Sequence, residues 1–228
     1  MKHSGKALRA GLKLIAASMA IVLGVGAVCF VARSMASFLP SVGAGLLAAW
    51  LLFTLFTLYF FRDPNPATPA QPGLIVSPGH GTVDVIDQLK ECPFMGGPCH
   101  RISIFLSVIN VHVQNAPIAG KITCVTHTPG QFVNALRTDS AQHNENVLIG
   151  FESTESPGEK IGVRLIAGLI ARRIVPFVTP GEAVLRGERI SLIQFGSRCD
   201  LYIPLHYKIR VALGDKVVGG ETVIAAKS

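Results

Sequence analysis

With 228 residues and a mean hydropathy of +0.45, the chain has room for one domain plus an apolar segment, and it is too apolar overall for an ordinary soluble protein. The formal net charge of +7 does not come from a dense basic patch, because the Lys and Arg residues are scattered and are not interleaved with aromatic residues. This distribution argues against a nucleic-acid-binding protein and favours contact with an anionic membrane surface.

The apolar excess is concentrated near the N-terminus, in two uncharged stretches at residues 14–32 and 42–61. Each stretch is long enough to cross the ~30 Å hydrocarbon layer of a bilayer as a helix. We therefore predict a two-helix transmembrane hairpin that forms a membrane anchor over residues 1–62. A cleaved signal peptide is the alternative for the first stretch, and the presence of the second stretch argues against it.

The charges that flank these stretches predict the orientation of the anchor. The connector between the stretches carries only Arg33, whereas four basic residues precede the first stretch, namely Lys2, Lys6, Arg9 and Lys13. Because positive charge is retained on the cytoplasmic side, we expect the N-terminus and the domain at residues 63–228 to be cytoplasmic. The predicted location is the inner cell membrane.

A proline-rich segment, residues 63–72, follows the anchor. It contains Pro64, Pro66, Pro69 and Pro72. Prolines at this density favour an extended and semi-rigid chain. We therefore predict a spacer that holds the following domain just off the bilayer.

Beyond residue 72 the sequence consists of short β-type runs broken by Gly, Pro and Asn. This pattern predicts a mainly β domain, a small sandwich or barrel-like fold that is α+β at most. The stretch at residues 165–175 is consistent with either a short helix or a further strand. The predicted strands are residues 74–76, 81–86, 102–106, 122–126, 147–152, 160–166, 190–194, 201–204 and 217–224.

The cysteines do not predict a metal site. No second Cys/His pair at ligand spacing accompanies Cys92 and Cys99. A cytoplasmic location would keep the thiols reduced, so we interpret all five cysteines as structural. They are Cys29, Cys92, Cys99, Cys124 and Cys199.

The dipeptide Gly196-Ser197 lies between two predicted strands and is a candidate site of self-cleavage. Glycine allows a strained backbone geometry, and the hydroxyl of the next residue lies close to the glycine carbonyl. This arrangement suits an N-to-O acyl shift. The alternative is an ordinary turn, which is the more frequent role of such a dipeptide.

Two histidines are candidates for activating the Ser197 hydroxyl. The alternation in residues 109–113 places Asn110 and His112 on one face of a predicted β run, and a His beside a hydroxyl makes it reactive at neutral pH. His80 lies in the run Ser-Pro-Gly-His-Gly. A structural histidine is the alternative for both.

Five motifs, in order from about residue 46 to the end, together resemble the short-type phosphatidylserine decarboxylase proenzymes. Each motif is short, but their order and the preceding anchor make the resemblance specific. The motifs are Phe60-Phe61-Arg62-Asp63-Pro64, Val76-Ser77-Pro78, Asn110-Val111-His112, Ile166-Ala167-Gly168 with Ala171-Arg172-Arg173-Ile174-Val175, and Phe195-Gly196-Ser197-Arg198 before Asp200-Leu201-Tyr202-Ile203-Pro204.

The resemblance implies self-cleavage between Gly196 and Ser197, into a β chain of residues 1–196 and an α chain of residues 197–228 that stay partners. It also implies that Ser197 becomes a pyruvoyl group, so that no external cofactor is needed. The implied reaction is the decarboxylation of phosphatidylserine to phosphatidylethanolamine. His112 matches the histidine of the family and is the expected base. The oligomeric state, including a homodimer, stays open.

The chain departs from the family pattern at one place. The family motif usually reads Ser-Pro-Ala-Asp-Gly, and its Asp orients the histidine, whereas this chain has His80 at that position. Either His80 bonds to His112, or Asp84 or Asp87 replaces the missing carboxylate. The alternative function is a non-catalytic, membrane-tethered β-domain that stays uncleaved. A serine hydrolase is disfavoured, because Ser197 lacks the Gly-x-Ser-x-Gly elbow.

Overall fold

The computed structural model describes residues 3–31, 39–130, 144–168, 173–194 and 197–227. The chain forms two compact units. One comprises Gly5–Asp63, and the other comprises Pro64–Ser228 together with Met1–Ser4.

The first unit is a pair of helices, α1 at Lys6–Val31 and α2 at Leu39–Phe60. They pack against each other, and the indole N–H of Trp50 on α2 donates to the hydroxyl of Ser18 on α1 at 3.2 Å. Large apolar side chains point outward on both helices, as with Ile21 and Leu52, which are 68% and 70% exposed. The segments Lys6–Val28 and Val42–Phe60 are long and apolar enough to cross a membrane. The predicted connector falls largely on residues 32–38, outside the described residues.

The second unit is built from antiparallel strands in three sheets. The sheet orders are β13-β2-β3-β11-β7-β6-β5-β9, β4-β10-β8 and β1-β14-β12. In chain order the strands are β1 Leu74–Val76, β2 Gly81–Leu89, β3 Cys99–Leu106, β4 Val113–Asn115, β5 Gly120–Thr128, β6 Asn146–Ser153, β7 Lys160–Ala167, β8 Arg173–Pro176, β9 Ala183–Val184, β10 Arg189–Gln194, β11 Ser197–Pro204, β12 Tyr207–Ile209, β13 Lys216–Val217 and β14 Val223–Lys227.

Strand β11 lies inside the eight-stranded sheet, with β3 and β7 as its neighbours on either side. Alternate residues of these three strands point into one continuous apolar core, in keeping with the period of two of a β-strand. On β11 they are Cys199, Leu201 and Ile203, which are completely buried. The residues that alternate with them, Arg198, Asp200 and Tyr202, lie on the opposite face of the sheet.

The prediction of a mainly β domain preceded by two apolar helices is confirmed. Each predicted strand overlaps an observed one, although residues 217–224 contain a turn that separates β13 from β14. The stretch at residues 165–175 contains the end of β7 and the start of β8, while residues 169–172 are outside the described residues. The alternating run at residues 109–113 is not a strand before Val113.

The proline-rich segment is hydrogen-bonded to the β unit, which its sequence does not predict. Its role as a spacer off the bilayer stays a prediction. Residues 64–73, called the strap below, run along the β unit and are held by buried arginines. Arg186 donates to the carbonyls of Pro69 and Gln71 at 2.9 and 2.7 Å, and the fully buried Arg189 donates to the carbonyl of Pro64 at 3.3 Å. A buried guanidinium must find acceptors, and the extended strap supplies them.

Candidate functional site

The site is built around the start of β11, at one end of the eight-stranded sheet. The backbone of Ser197 pairs with Leu106, the last residue of β3, and with Ala167, the last residue of β7. Both neighbouring strands therefore fix the position of Ser197 in the sheet. Phe195 and Gly196, which complete the predicted cleavage motif, lie outside the described residues.

His112 is completely buried and lies between β3 and β4. Its carbonyl accepts hydrogen bonds from the backbone N–H of Ile193 at 3.1 Å and from the side-chain amide of Gln114 at 2.7 Å. Ile193 is on β10, four residues before Ser197. The backbone of His112 is thus hydrogen-bonded to β10, the strand that leads into the predicted cleavage motif.

The hydrogen bond of the His112 ring determines its tautomer. Nδ1 of His112 lies 2.9 Å from the carbonyl oxygen of Asn110. A carbonyl oxygen only accepts hydrogen bonds, so Nδ1 carries the proton and Nε2 carries the lone pair. This is the tautomer that a general base needs, and a backbone carbonyl holds it.

Asn110 does not share a strand face with His112, so that part of the prediction is wrong. Residues 107–110 form a turn, in which the backbone N–H of Asn110 donates to the carbonyl of Ser107 at 2.9 Å. The side-chain oxygen of Asn110 accepts the backbone N–H and the hydroxyl of Ser107 at 2.9 and 2.7 Å. This turn places the Asn110 carbonyl at the His112 ring. A side-chain amide that hydrogen-bonds to nearby backbone favours a turn over a strand.

The loop at Ser77–Gly81 carries His80 to the same end of the sheet. The hydroxyl of Ser77 donates to the carbonyl of Gly79 at 2.6 Å, which tightens the loop. A Cβ on Gly79 would lie 3.6 Å from a methyl group of Leu106 and 3.7 Å from Cβ of Cys199. The loop therefore packs on the residues that flank Ser197 in the sheet.

His80 is half-buried and lies beside the loop that precedes β14. A Cβ on Gly219 would be 2.9 Å from Cδ2 and Nε2 of the His80 ring, and 2.8 Å from the side-chain oxygen of Asn115. Asn115 also donates its backbone N–H to the carbonyl of Pro78 at 2.8 Å. These contacts bring His80 close to β4, which begins one residue after His112.

The carboxylates that were candidates for the missing Asp are engaged elsewhere. Asp84 accepts a hydrogen bond from Nη2 of Arg198. Asp87 accepts two from Arg101, from Nε at 3.0 Å and from Nη2 at 2.5 Å. Arg198 is on the sheet face opposite the core, so the hypothesis that Asp84 or Asp87 orients His112 is wrong.

The described residues contain no group of three or more His, Cys, Asp or Glu side chains that could hold a metal ion. The cysteines of the β unit are free thiols. Cys199, two residues after Ser197, is completely buried, and its burial raises the pKa of the thiol. Cys199 is therefore a neutral packing residue beside the site.

Comparison with known proteins identifies the family. Residues 53–225 match the family model described as phosphatidylserine decarboxylase. The chain belongs to the phosphatidylserine decarboxylase family.

Three relatives are each named phosphatidylserine decarboxylase proenzyme. That of Desulfotalea psychrophila is 44% identical over 194 residues, which are 83% of this chain and 90% of the relative. That of Ruegeria pomeroyi is 43% identical over 192 residues, 83% of this chain and 84% of the relative. That of Syntrophus aciditrophicus is 39% identical over 223 residues, 97% of this chain and 98% of the relative.

The resemblance seen in the sequence is therefore confirmed. The chain is a member of a decarboxylase family, a class of lyases, and the relatives are named as proenzymes. The alternative of a non-catalytic β-domain gains no support from these relatives. The sequence did not reveal that Asn110 supplies the carbonyl to the His112 ring, although the Ser107-x-x-Asn110 spacing is a turn signal.

Proposed function

We propose that this phosphatidylserine decarboxylase family member cleaves its own backbone between Gly196 and Ser197 and then decarboxylates phosphatidylserine to phosphatidylethanolamine. The observation that carries the proposal is the hydrogen bond from Nδ1 of His112 to the carbonyl of Asn110, in a segment tied to the strand that leads into Ser197. It leaves Nε2 of a buried histidine as the proton acceptor. The family membership supplies the reaction.

Self-cleavage begins when His112 takes the proton of the Ser197 hydroxyl, whose oxygen attacks the carbonyl of Gly196. The amide becomes an ester as the Ser197 nitrogen leaves. Loss of the α-proton of Ser197 then expels the Gly196 carboxylate. The dehydroalanine that is left hydrolyses, with release of ammonia, to a ketone at the new N-terminus of the α chain.

The pyruvoyl ketone formed from Ser197 would supply an electron sink for the loss of CO2 from the serine headgroup. The position of Ser197 suits this group, because β3 and β7 hold the first residue of β11 on both sides. We expect His112 then to return a proton to the product.

The carbonyl of Asn110 replaces only part of the role of the carboxylate that is usual in the family. It fixes the His112 tautomer, but it carries no full charge to stabilise the imidazolium that forms during proton transfer. We therefore expect self-cleavage of this chain to occur and to be slower than that of a His80→Asp variant in which the new carboxylate reaches His112.

The helical unit and the net charge support a location at a membrane. The apolar outward faces of α1 and α2 suit a bilayer anchor, with the β unit at the cytoplasmic side of the inner membrane. The charge of +7 would attract an anionic lipid such as the proposed substrate.

Denaturing electrophoresis and intact-mass measurement of the purified full-length protein test the cleavage. The 24.2 kDa chain should give a fragment of 32 of its 228 residues, which is about 3.4 kDa by proportion, with a blocked pyruvoyl N-terminus. A Ser197→Ala variant should stay intact, and a Ser156→Ala variant should cleave normally. A wild-type chain that stays intact and releases no CO2 from phosphatidylserine would contradict the proposal.

Neutral hydroxylamine locates the step in which His112 acts. It attacks an ester and should split any chain that has undergone the acyl shift, leaving Ser197 as an ordinary N-terminus. If His112 is the base for the first step, a His112→Gln variant should stay intact with hydroxylamine. Hydroxylamine-dependent splitting of that variant at the wild-type rate would show that the acyl shift does not need His112.

A further inference from the structure

The residue that follows Ser197 carries a buried charge. The side chain of Arg198 is 3% exposed and lies on the sheet face opposite the core. Its Nη2 donates to the carboxylate of Asp84, and in the described part of the chain its Nε has no hydrogen-bond acceptor. The position of this guanidinium therefore depends strongly on Asp84.

Asp84 reaches Arg198 because β2 contains a β-bulge. Val83 pairs with Ile104 and Val85 pairs with Ser103, so Asp84 is the extra residue without a partner on β3. A bulge redirects a side chain at the place where it occurs. Strand β3 separates β2 from β11 in the sheet, so the Asp84–Arg198 ion pair spans β3.

The ion pair connects the two sides of the candidate site. Asp84 follows the end of the Ser77–Gly81 loop by three residues, and Arg198 follows Ser197 directly. The backbone of Arg198 is paired with Phe105 on β3, while its side chain is held from β2. The downstream side of the predicted cleavage bond is thus fixed by both backbone and side-chain contacts.

The other carboxylate that acts on Arg198 is Asp200, two residues further along the same face of β11. Asp200 is almost completely buried, and burial raises its pKa, while the charges of Arg101, Arg198 and Arg164 act in the opposite direction. Among the described residues, Asp84 is the carboxylate that forms an ion pair with Arg198. Loss of Asp84 would therefore leave the buried charge of Arg198 only partly compensated, which is unfavourable.

We propose that the Asp84–Arg198 ion pair positions the Ser197 backbone for self-cleavage. This inference rests on the proposed cleavage at Gly196-Ser197. The two residues are positioning residues, because Arg198 lies on the sheet face opposite the core and the pair would act through the backbone of Ser197. The attack needs close alignment of the Ser197 hydroxyl with the Gly196 carbonyl, and a displacement of about 1 Å can lower such a rate by about 100-fold.

The chain offers a matched control in the ion pair of Asp87 with Arg101. Asp87 is also on β2 and also bonds to an arginine. Arg101 pairs with Tyr202, however, which is five residues after Ser197. Arg101 is more exposed than Arg198, 23% against 3%, so the loss of stability is measured for each variant separately. A positioning effect is a loss of cleavage rate at Asp84 that the loss of stability does not explain.

The test follows loss of the precursor with time, by denaturing electrophoresis, after cell-free synthesis of the full-length chain with phosphatidylglycerol and phosphatidylethanolamine vesicles. We expect Asp84→Asn to slow cleavage by at least about tenfold, and Asp87→Asn to stay within about twofold of wild type. Asp84→Glu should recover most of the wild-type rate, because it restores the charge. Thermal unfolding of both Asn variants in the Ser197→Ala background measures their stability independently of cleavage.

Two results would overturn the inference. Wild-type cleavage rates in Asp84→Asn would show that the ion pair does not position Ser197. Equal slowing in Asp84→Asn and Asp87→Asn, with equal losses of stability, would show a structural role only. A wild-type chain that does not cleave would overturn the proposed function as well, so the two failures are distinguishable.

Discussion

Gly81 is the last residue of the Ser77–Gly81 loop and the first residue of β2, and its backbone passes very close to β3. A Cβ at this position would lie 2.1 Å from the carbonyl oxygen of Phe105 and 2.9 Å from its carbonyl carbon. The obstacle is backbone, so no side-chain rotation can relieve it. We predict that Gly81→Ala destabilises the β unit, and that Gly79→Ala, two residues earlier, does not.

The magnitude follows from the distances. Real Cβ atoms essentially never approach another heavy atom closer than 3.0 Å, so β2 and β3 must separate by about 0.9 Å, which is 3.0 minus 2.1. A separation of this size breaks about two backbone hydrogen bonds at about 1 kcal/mol each, and overpacking adds about 1 kcal/mol. The total of about 3 kcal/mol corresponds to a fall of roughly 6–12 °C in Tm for a domain of this size.

Gly79→Ala is the matched substitution. Its Cβ would make ordinary contacts of 3.6 Å with Leu106 and 3.7 Å with Cys199. Replacing Gly by Ala without strain stabilises a protein by about 0.4–1 kcal/mol, because the unfolded chain loses freedom. We therefore expect Tm to rise by about 1–4 °C.

Thermal unfolding is measured by circular dichroism on detergent-purified protein in the Ser197→Ala background, which keeps the chain uncleaved. The difference between the two alanine variants is the quantity of interest, because both change the same loop by one methyl group. A Tm for Gly81→Ala within about 2 °C of the parent would refute the close-approach argument.

Three further predictions concern the strap, the half-buried Glu159 and the turn before His112. Arg186→Met removes the partner of Glu155, whose carboxylate oxygens lie 2.5 and 2.6 Å from Nη2 of Arg186. It should lower the free energy of unfolding by about 3 kcal/mol and speed limited proteolysis of the strap. Burial acts to raise the pKa of Glu159, but hydrogen bonds, first of all from Tyr207, lower it below 4.5. Glu159→Gln should therefore lower the free energy of unfolding at pH 7 by about 1.5 kcal/mol. This difference should vanish as the pH falls below 4.5 and through the lowered pKa, because the wild-type carboxyl then becomes protonated. Asn110→Ala should lengthen the lifetime of the precursor on denaturing gels, whereas Asn110→Asp, which keeps an acceptor oxygen, should not.

The long strands were predictable because each has enough residues to show a period of two and a buried face. Strands β3, β7 and β11 have eight residues each. The strands that the sequence did not predict, such as β9 with two residues and β12 with three, are too short to show any periodicity. Their positions depend on contacts with distant parts of the chain.

The position of the strap was likewise not predictable from its own sequence. Its prolines predict an extended conformation, and they do not predict where the segment lies. Its position is set by Arg186 and Arg189, more than a hundred residues further along the chain. In a similar way, the β-bulge that directs Asp84 toward Arg198 arises from the pairing of β2 with β3 and has no local sequence signal.

The candidate site was predictable as a set of residue types and only partly as an arrangement. The sequence singled out Ser197, His112 and His80, and their roles remain proposals. Alternation suggested a strand at Asn110, where a turn directs the carbonyl to the His112 ring instead. A turn and a half-buried strand of five residues give similar patterns, and only the Ser107 contacts separate them.

The central place of β11 has a consequence for the protein after the proposed cut. The piece at residues 197–228 would contribute β11 and β13 to the large sheet and β12 and β14 to a small one, so it would be woven through two sheets with no covalent link to them. Folding before the cut is unimolecular, whereas refolding after the cut requires two separate chains to meet and therefore depends on concentration. At low concentration, denaturation of the cleaved protein would therefore be effectively irreversible. Denaturation of the uncleaved Ser197→Ala variant would be reversible.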